Sequence, residues 1–574
     1  MIFYLLYINT YKYTLNMIQV VYKKEDKRFI FLKGEPGEME QLESHINKIP
    51  SYMFMPSFTG IPIPEVFLNK SVTQSGQVIY YCHSGLWRHI YEWCNKKQIR
   101  ITGIDDEFKY TGFPLSLKEF TDYVLNWNLK FEPRDYQIKS AWLILKYRQS
   151  LSELATRAGK TLIAYIVFRY MLENGAQNIL MIVPSIQLVK QGVSDMSEYQ
   201  EFFKSETVWA NSDLCDSSNL TIGTFQSLIL MLDKKSKRYN PDFFNKFDIV
   251  CVDEAHHLPC KSINTILNQK FLKNVKLKFG FTGTLPEENT IESFACQSIM
   301  GPKIQEIRAE ELINEGFLAK PNITQIRINY NKSEELIEQY IKCGEYLNSS
   351  YKLVDGKKVA LPKEQKEFTI QHVKVLPITL TKVKPTLEKD EYVEYLIDLC
   401  KSNGSNLLNL EHMLVHRSQK RIQIIKGLLD QMNGNCIIFA HNDTYITYLS
   451  KLLKEEYKDK IVRSIKGTDN LKKRQKIIDE MLKANNVILV ASYGCCGTGL
   501  TFKNVDYGIF AQSFKSDIIN KQSLGRLMLK NEDKEEFILY DLVDVFPSGQ
   551  IKKHGDERLK IYKKEGYDVK IKNI

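Results

Sequence analysis

Two long stretches of the chain alternate short, strongly apolar runs with longer segments whose apolar residues recur every three or four positions. In the first, from residue 129 to about residue 320, the apolar runs predict strands at 179–183, 220–224, 249–253 and 277–282. In the second, about residues 410–545, they predict strands at 436–439, 487–491, 508–511 and 537–542. This alternation is typical of a parallel sheet with helices on both faces. The pattern therefore predicts two tandem α/β lobes.

The segments outside these lobes have different patterns. The N-terminal part predicts a small α+β domain, a polar stretch rich in Lys and Glu predicts an insertion, and the basic C-terminal end predicts one helix and a short strand. The first convincing strand begins at Ile18, so Met17 is a candidate start of the protein. The predicted parts are an N-terminal arm at 1–17, the α+β domain at 18–112, the first lobe at 113–325, the second lobe at 326–545 with its insertion at about 332–400, and a C-terminal extension at 546–574.

Composition narrows the class of protein. A formal net charge of +11 on 574 residues favours a polyanionic partner such as nucleic acid. The eleven cysteines show no CxxC spacing, which favours reduced thiols over disulfides or zinc. No segment of the sequence is apolar for long enough to span a membrane. We therefore expect a cytoplasmic protein.

A phosphate-binding loop is predicted at 155–161, where Ala-Thr-Arg-Ala-Gly-Lys-Thr precedes an apolar helical segment. Free N–H groups at a helix N-terminus favour an anion. Lys160 would reach the β- and γ-phosphates of ATP, and the Thr161 hydroxyl would ligate Mg²⁺. The residues assigned to nucleotide binding in this loop are Thr156, Ala158, Gly159, Lys160 and Thr161.

Two adjacent carboxylates end the apolar run 249–252, in the sequence Asp253-Glu254-Ala255-His256. An apolar strand that ends in this way can present a metal-binding Asp and a water-orienting Glu to a nucleotide. Asp253 would hold Mg²⁺, and Glu254 would orient or deprotonate the attacking water. His256 is assigned to coupling the ATP site to the other lobe.

Further residues can complete the nucleotide site. A glutamine side chain can pair with N6 and N7 of adenine, so Gln137, just upstream of the loop, is a candidate adenine selector. Arg134 or Phe131 could stack on the ring. The second predicted lobe has no phosphate loop of its own, but Arg526 could reach across a cleft to stabilise charge on the γ-phosphate.

In this order the motifs resemble those of the superfamily 2 helicases. The series comprises Tyr136-Gln137, Gly159-Lys160-Thr161, Val183-Pro184-Ser185, 221–226, Asp253-Glu254-Ala255-His256, Thr282-Gly283-Thr284, 437–439, 491–494 with 498–500, and 522–526. The run Val490-Ala491-Ser492-Tyr493-Gly494, with Thr498-Gly499 after it, is similar to the pattern of the phage UvsW recombination helicases. The resemblance covers roughly residues 18–574 and is weakest in the N-terminal domain.

The resemblance implies two RecA-like lobes, ATP and Mg²⁺ as ligands, and an N-terminal domain that binds duplex DNA. It also implies ATP-dependent remodelling of branched DNA, namely forks, Holliday junctions and R-loops, in the cytoplasm of a phage's host. It adds Gln522 to the catalytic residues and Gly499 to the nucleotide-binding residues. Contacts to backbone phosphate, which carry little sequence information, are implied at Pro184, Ser185, Thr224, Gln226, Lys466 and Thr498.

Departures from the family pattern leave other interpretations open. Leu154 and Arg157 stand where small residues are common in the loop, and Leu529 stands where a second arginine is expected. One alternative is therefore a DNA-binding scaffold on a weakened ATPase frame. An RNA helicase is another, because contacts to phosphate do not report the sugar.

Overall fold

A computed structural model gives the structure of the chain. It describes residues 17–23, 26–47, 54–56, 62–64, 66–73, 76–103, 113–199, 202–208, 218–268, 270–272, 275–286, 290–330, 351–354, 357–360, 408, 411–412, 414–416, 418–493, 504–512, 523–525, 527–528, 536–546 and 549–574. Residues 1–16 of the predicted arm at 1–17 and most of the insertion lie outside these residues, whereas Met17 begins the first described strand. Internal contacts divide the chain into two compact units, Met1–Ile307 and Arg308–Ile574.

The first unit begins with a five-stranded sheet in the order β5-β6-β2-β1-β7, in which only β1 and β7 pair in parallel. Its elements are β1 Met17–Lys23, β2 Asp26–Lys33, α1 Pro36–Asn47, β3 Phe54–Pro56, β4 Pro62–Pro64, β5 Asn69–Val72, β6 Val78–His83, α2 Trp87–Lys96 and β7 Arg100–Thr102. Strands β3 and β4 form a separate hairpin. The apolar sides of α1 and α2 are buried with the strands, as amphipathic helices require.

A seven-stranded parallel sheet follows, in the order β10-β11-β9-β12-β13-β8-β14. The elements are α3 Leu117–Leu125, α4 Asp135–Tyr147, β8 Gln149–Leu154, α5 Lys160–Glu173, β9 Ile179–Val183, α6 Ile186–Tyr199, β10 Ser205–Val208, β11 Leu220–Thr224, α7 Phe225–Leu230, β12 Ile249–Asp253, α8 Lys261–Leu267, β13 Leu277–Thr282, α9 Ile291–Met300 and β14 Lys303–Ile307. All four predicted strands are present.

The small domain packs against helix α9 of this sheet. Ile291 of α9 belongs to the buried core of the small domain, and Phe294 packs on it. A Cβ on Gly85 would lie 2.2 Å from the carbonyl oxygen of Gln297, so the two backbones approach closely enough that only glycine fits. His89 Nε2 lies 2.8 Å from Gln297 Oε1. The small domain is therefore joined to the first lobe by both apolar and polar contacts.

The second unit contains another seven-stranded parallel sheet, in the order β19-β20-β18-β21-β22-β15-β23. Its elements are α10 Ala309–Asn314, β15 Lys320–Asn329, β16 Tyr351–Val354, β17 Lys357–Ala360, α11 Gln419–Leu429, β18 Cys436–Ala440, α12 Asp443–Glu456, β19 Ile461–Ile465, α13 Leu471–Lys483, β20 Val487–Ser492, β21 Tyr507–Phe510, β22 Glu536–Val545, α14 Gln550–Lys564 and β23 Val569–Asn573. The predicted pair of RecA-like lobes with a small N-terminal domain is confirmed.

Two features of the second sheet bear on the predicted division of the chain. Internal contacts place the boundary between the two units after Ile307, and strand β15, Lys320–Asn329, pairs with β22 over ten residues, whereas the predicted second lobe begins at residue 326. Strand β23 pairs with β15, which makes the C-terminal extension an edge of the second sheet. Within the described part of the chain, no helix combines the length and the apolar character that crossing a bilayer requires.

Candidate nucleotide and nucleic-acid site

The phosphate loop, residues 155–159, connects β8 to α5 in the first lobe. Arg157 and Gly159 both have a left-handed backbone, with φ of 75° and 81°. Glycine adopts this conformation freely, whereas a side chain there costs about 1–2 kcal/mol. This cost explains why a small residue is usual at the position of Arg157. Lys160 and Thr161 open α5, where the first backbone N–H groups have no partner inside the helix.

Asp253 ends β12 and Glu254 follows it, and β12 is separated from β8 by β13 alone. Glu254 also has a left-handed backbone, with φ of 54°, and its N–H donates to Asp253 Oδ1 at 2.9 Å. The Glu254 side chain turns toward the phosphate loop, where Oε1 lies 3.9 Å from Lys160 Nζ. The predicted phosphate-binding lysine and the predicted water-orienting glutamate are therefore neighbours.

The charge around Asp253 fits a divalent cation. Burial raises the pKa of Asp253 to about 6, the Glu254 carboxylate adds to the rise, and the Lys160 ammonium opposes it. Among the described residues, no three His, Cys, Asp or Glu side chains converge as a cage for a metal ion. Mg²⁺ commonly binds through one or two protein oxygens together with substrate phosphates. Asp253 and Thr161 are the residues that would hold it here.

His256 joins the carboxylates to the end of the neighbouring strand β13. Its Nδ1 lies 3.0 Å from Thr282 Oγ1 and 3.2 Å from Glu254 Oε2. The Thr282 hydroxyl donates to the Thr284 carbonyl at 3.0 Å, so it accepts from His256, whose Nδ1 then carries the proton. The described partners of His256 thus lie within the first lobe, whereas the sequence assigned this residue to coupling between lobes.

Gln137 lies beneath the phosphate loop and is only 4% exposed. Its Nε2 donates to the Ala158 carbonyl at 3.0 Å, and its Oε1 accepts from the Arg134 N–H at 2.9 Å. A Cβ on Gly159 would lie 2.1 Å from Gln137 Nε2, which gives a second reason for glycine at that position. The amide keeps one N–H and one lone pair for an adenine.

Tyr136 belongs to the first of the predicted motifs, but the motif predicts no role of its own for this tyrosine. Its hydroxyl donates to the Ala158 carbonyl at 2.9 Å and accepts from Arg134 Nη1 at 2.8 Å. Arg134 is therefore tied to the phosphate loop through Tyr136. Phe131, the other candidate for stacking on adenine, is 45% exposed. A signal for Tyr136 existed in its position beside the glutamine, but a tyrosine there has many possible roles.

The predicted phosphate contacts of the first lobe follow β9 and β11, which are adjacent strands. Gln226 is exposed, and its Nε2 donates to the Pro184 carbonyl at 3.3 Å. Ser185 accepts from the Leu188 N–H at the start of α6. Thr224 is 3% exposed, and its hydroxyl accepts from the Ser227 N–H as the cap of α7. The structure brings Pro184, Ser185 and Gln226 together at one surface.

In the second unit, Lys466 follows β19 in a tight turn. Its N–H donates to Asp469 Oδ2 at 2.8 Å, and its Nζ donates to Thr447 Oγ1 at 3.4 Å. The other predicted site residues of this unit lie outside the described residues; they are Thr498, Gly499, Gln522 and Arg526.

Comparison with known proteins gives two domain matches and several relatives. Residues 130–287 match the family described as type III restriction enzyme, res subunit, and residues 419–528 match the helicase conserved C-terminal domain. The chain is 24% identical to the ATP-dependent DNA helicase uvsW of Enterobacteria phage T4, over 80% of this chain and 82% of that protein. It is 23% identical to the DNA 3'-5' translocase XPB2 of Sulfurisphaera tokodaii, over 71% of this chain and 81% of that protein.

Among solved structures, the DNA-bound type ISP restriction-modification enzyme LlaBIII matches 77% of this chain and 31% of its own length, with 14% identity and a TM-score of 0.50. That likeness concerns the fold alone. The sequence matches concern the same two lobes that carry the phosphate loop and the second parallel sheet. The two helicase domains in this order, and the similarity to UvsW along four fifths of the chain, show that the protein is an ATP-dependent helicase of superfamily 2 related to UvsW.

Proposed function

We propose that the protein uses ATP hydrolysis to move along DNA and to remodel branched DNA, such as forks, Holliday junctions and R-loops. The observation that carries the proposal is the arrangement at the carboxyl edge of the first sheet. There β12 lies between β9, which leads to Pro184 and Ser185, and β13, which leads to Thr282. The hydrolytic carboxylates thus stand between the candidate nucleic-acid surface and the phosphate loop.

The ion pair between Lys160 and Glu254 gives the nucleotide a role in assembling the site. A γ-phosphate carries more charge than a carboxylate, so Lys160 would exchange Glu254 for the phosphate when ATP binds. Glu254, held by His256, would then be available to orient the attacking water. Mg²⁺ at Asp253 and Thr161 would neutralise charge that develops on the phosphates. Arg526 is proposed to supply a guanidinium from the second lobe.

DNA as the nucleic acid is supported by the chain's charge and by the names of its relatives. The net charge of +11 favours a polyanion, and both curated relatives above are described as acting on DNA. The candidate contacts Pro184, Ser185 and Gln226 are assigned to backbone phosphate, and such contacts carry little sequence information. We therefore expect binding that depends on salt and is indifferent to sequence.

The test is ATPase activity with single-stranded DNA, duplex DNA, a four-way junction and RNA of matched sequence. Lys160→Ala and Glu254→Gln should each abolish the stimulated activity while DNA binding persists. Lys118→Ala, which removes an exposed lysine from α3, is the control and should behave as the wild type. Equal rates in the wild type and Lys160→Ala would overturn the assignment. Stimulation by RNA alone would replace DNA as the substrate.

Branch remodelling needs its own measurement. A four-way junction with two fluorescent arms reports the exchange of strands as the branch point moves. The wild type should resolve this junction only with ATP and Mg²⁺, and Glu254→Gln should bind the junction without resolving it. Stimulation of ATPase by duplex DNA without any movement of the junction would restrict the function to translocation.

A further inference from the structure

A buried glutamine joins three strand ends at the carboxyl edge of the second sheet. Gln512 lies just after β21 and is 1% exposed. Its Oε1 accepts from the N–H groups of His441 and Asn442, at 2.7 and 3.1 Å, in the turn that follows the neighbouring strand β18. Its backbone carbonyl accepts from the Tyr493 hydroxyl at 2.9 Å, just beyond the end of β20. This one residue therefore holds the turns after both β18 and β20.

The other end of the Gln512 carboxamide determines the protonation state of a histidine. Because Oε1 accepts from two backbone N–H groups, Nε2 of the carboxamide is the atom that lies 2.8 Å from His416 Nε2. An amide nitrogen only donates, so His416 accepts through Nε2 and carries its proton on Nδ1. A protonated ring would direct a second N–H at the amide. The ring stacks on Tyr445 with 4.8 Å between centroids. Burial and the Arg421 guanidinium lower the pKa of His416 to about 4, so the hydrogen bond is present at neutral pH.

The turn after β18 leads into helix α12, which Asn442 caps with its side chain. Asp443, in the first turn of this helix, accepts from the Gly467 N–H at 3.1 Å and from the Thr468 hydroxyl at 3.2 Å. Both donors belong to the turn that follows β19, residues 466–469, which we call the β19 turn. The hold on the residues after β18 therefore extends through the start of α12 to the β19 turn.

The β19 turn offers donors that suit a backbone phosphate. It contains Lys466, a predicted phosphate contact, whose Nζ donates to Thr447 Oγ1 of α12 at 3.4 Å. In the described part of the chain this partner is a hydroxyl and not a carboxylate, so a phosphate would displace no acid from the ammonium. Gly467, Thr468 and Thr447 are exposed beside it. Phosphate oxygens are bound by Lys, by Thr hydroxyls and by backbone N–H groups, so the position of the turn decides which of these donors converge.

We propose that Gln512 is a positioning residue for nucleic-acid binding by the second lobe. Its carboxamide, oriented by neutral His416, holds the start of α12 in the place from which Asp443 sets the β19 turn. Gln512 acts through these residues and not by touching nucleic acid, because it is 1% exposed. The inference rests on the proposed function, in which Lys466 contacts backbone phosphate, and it adds a determinant of that contact from outside the predicted motifs.

The first test measures the hold of Gln512 on the two turns without DNA. Gln512→Leu removes both ends of the carboxamide. Asn435→Leu is the matched control: Asn435 is 2% exposed, and its side chain bonds three backbone groups at the opposite, amino edge of the same sheet. Hydrogen exchange of the full chain is followed by mass spectrometry of peptides that cover 441–445 and 466–469. We expect exchange in both peptides to be about 10-fold faster in Gln512→Leu and unchanged in Asn435→Leu. Unchanged exchange at 466–469 in Gln512→Leu would overturn the proposal.

The second test measures ATPase activity as the concentration of DNA rises. We expect the half-saturating concentration of DNA to increase about 10-fold in Gln512→Leu, while the maximum rate stays near that of the wild type. Asn435→Leu should also lower the thermal stability of the second lobe, but it should keep the half-saturating concentration of the wild type. An equal increase in both variants would mean that any loosening of the second lobe weakens DNA binding, and it would refute a positioning role for Gln512.

Two variants of His416 decide the matter if Gln512→Leu does not fold. His416→Phe keeps the ring stacked on Tyr445 and removes only the acceptor for the Gln512 amide, whereas His416→Gln supplies a carbonyl oxygen in its place. We expect the half-saturating concentration of DNA to rise in His416→Phe and to return toward the wild-type value in His416→Gln. Equal values in these two variants would refute the role of His416. A wild type that DNA does not stimulate would instead refute the proposed function, whereas hydrogen exchange without DNA would still decide whether Gln512 sets the β19 turn.

Discussion

Removing Arg558 should unfold the second lobe far more easily than its position near the C-terminus suggests. Arg558 of α14 donates to Asp541 of β22 through Nη2 at 2.7 Å and through Nε at 3.1 Å. The two side chains are 1% and 0% exposed. Asp541 also accepts from Gln325 Nε2 at 3.1 Å and from the Tyr562 hydroxyl at 3.3 Å. The pair therefore joins the C-terminal helix to the centre of the second sheet.

The size of the expected destabilisation follows from the burial of Arg558 and Asp541. Arg558→Met would leave the Asp541 carboxylate buried without its cation, which costs about 3–5 kcal/mol. For a unit of this size, about 2–4 °C of melting temperature corresponds to each kcal/mol, so we expect a loss of roughly 6–20 °C. The exposed pair Arg463 and Glu480 provides the control, since its atoms are 2.8 Å apart but its side chains are 39% and 38% exposed. Arg463→Met should cost less than about 1 kcal/mol.

Differential scanning calorimetry of the full chain measures both variants, with the transition of the second lobe followed separately because a chain with several domains need not unfold in one step. The double variant Arg558→Met, Asp541→Leu should recover much of the loss, because a pair replaced by apolar side chains leaves no buried charge. If Arg558→Met lowers the melting temperature no more than Arg463→Met does, the reasoning from burial is wrong.

Three further predictions concern other parts of the chain. Burial lowers the pKa of His412 to about 3 and of His416 to about 4. The unfolded chain therefore binds more protons than the folded chain below about pH 6.5, and the free energy of unfolding falls as the pH is lowered. Urea unfolding should show a loss of about 2 kcal/mol per histidine by pH 5, and a smaller total loss in His416→Asn. Glu411 accepts from the Ile551 and Gln550 N–H groups that open α14, so Glu411→Gln should cost about 1 kcal/mol in the same assay. Gln137→Ala should weaken binding of a fluorescent ATP analogue about 10-fold, since it removes two hydrogen bonds; unchanged binding would contradict its role.

The strands that the sequence revealed are those in which apolar, buried residues predominate. Strand β9, for example, is buried along its whole length and lies inside the sheet. Strand β8 escaped prediction because Ser150 and Ser152 interrupt its apolar pattern, yet both serines are fully buried. Strand β15 escaped for a similar reason: Gln325 is buried within it and bonds to Asp541, which is distant in the sequence. Polar residues that pair over long distances hide a strand from any local pattern.

The residues of the candidate site also include some that the sequence predicted and some that it did not. The motif residues Lys160 and Glu254 were predicted from spacing, because the chemistry of phosphates demands those residue types after a strand. The role of Tyr136 was not predicted, since it depends on the Ala158 carbonyl, which is distant from it in the sequence. Of the two departures in the loop, Leu154 is fully buried at the end of β8. It is therefore a core residue, and it gives no reason to regard the ATPase as weakened.

The order of strands in the first sheet explains why the Glu254 carboxylate can respond both to a nucleotide and to nucleic acid. Strand β12 pairs with β9 on one side and with β13 on the other. The turn after Asp253 therefore lies between the strand that leads to Pro184 and Ser185 and the strand that leads to Thr282. His256 extends this turn to Thr282, and Lys160 reaches it from the phosphate loop. A parallel sheet places all these strand ends at one edge, and a ligand of an α/β sheet binds at that edge. A shift of either flanking strand end therefore acts on Glu254 directly.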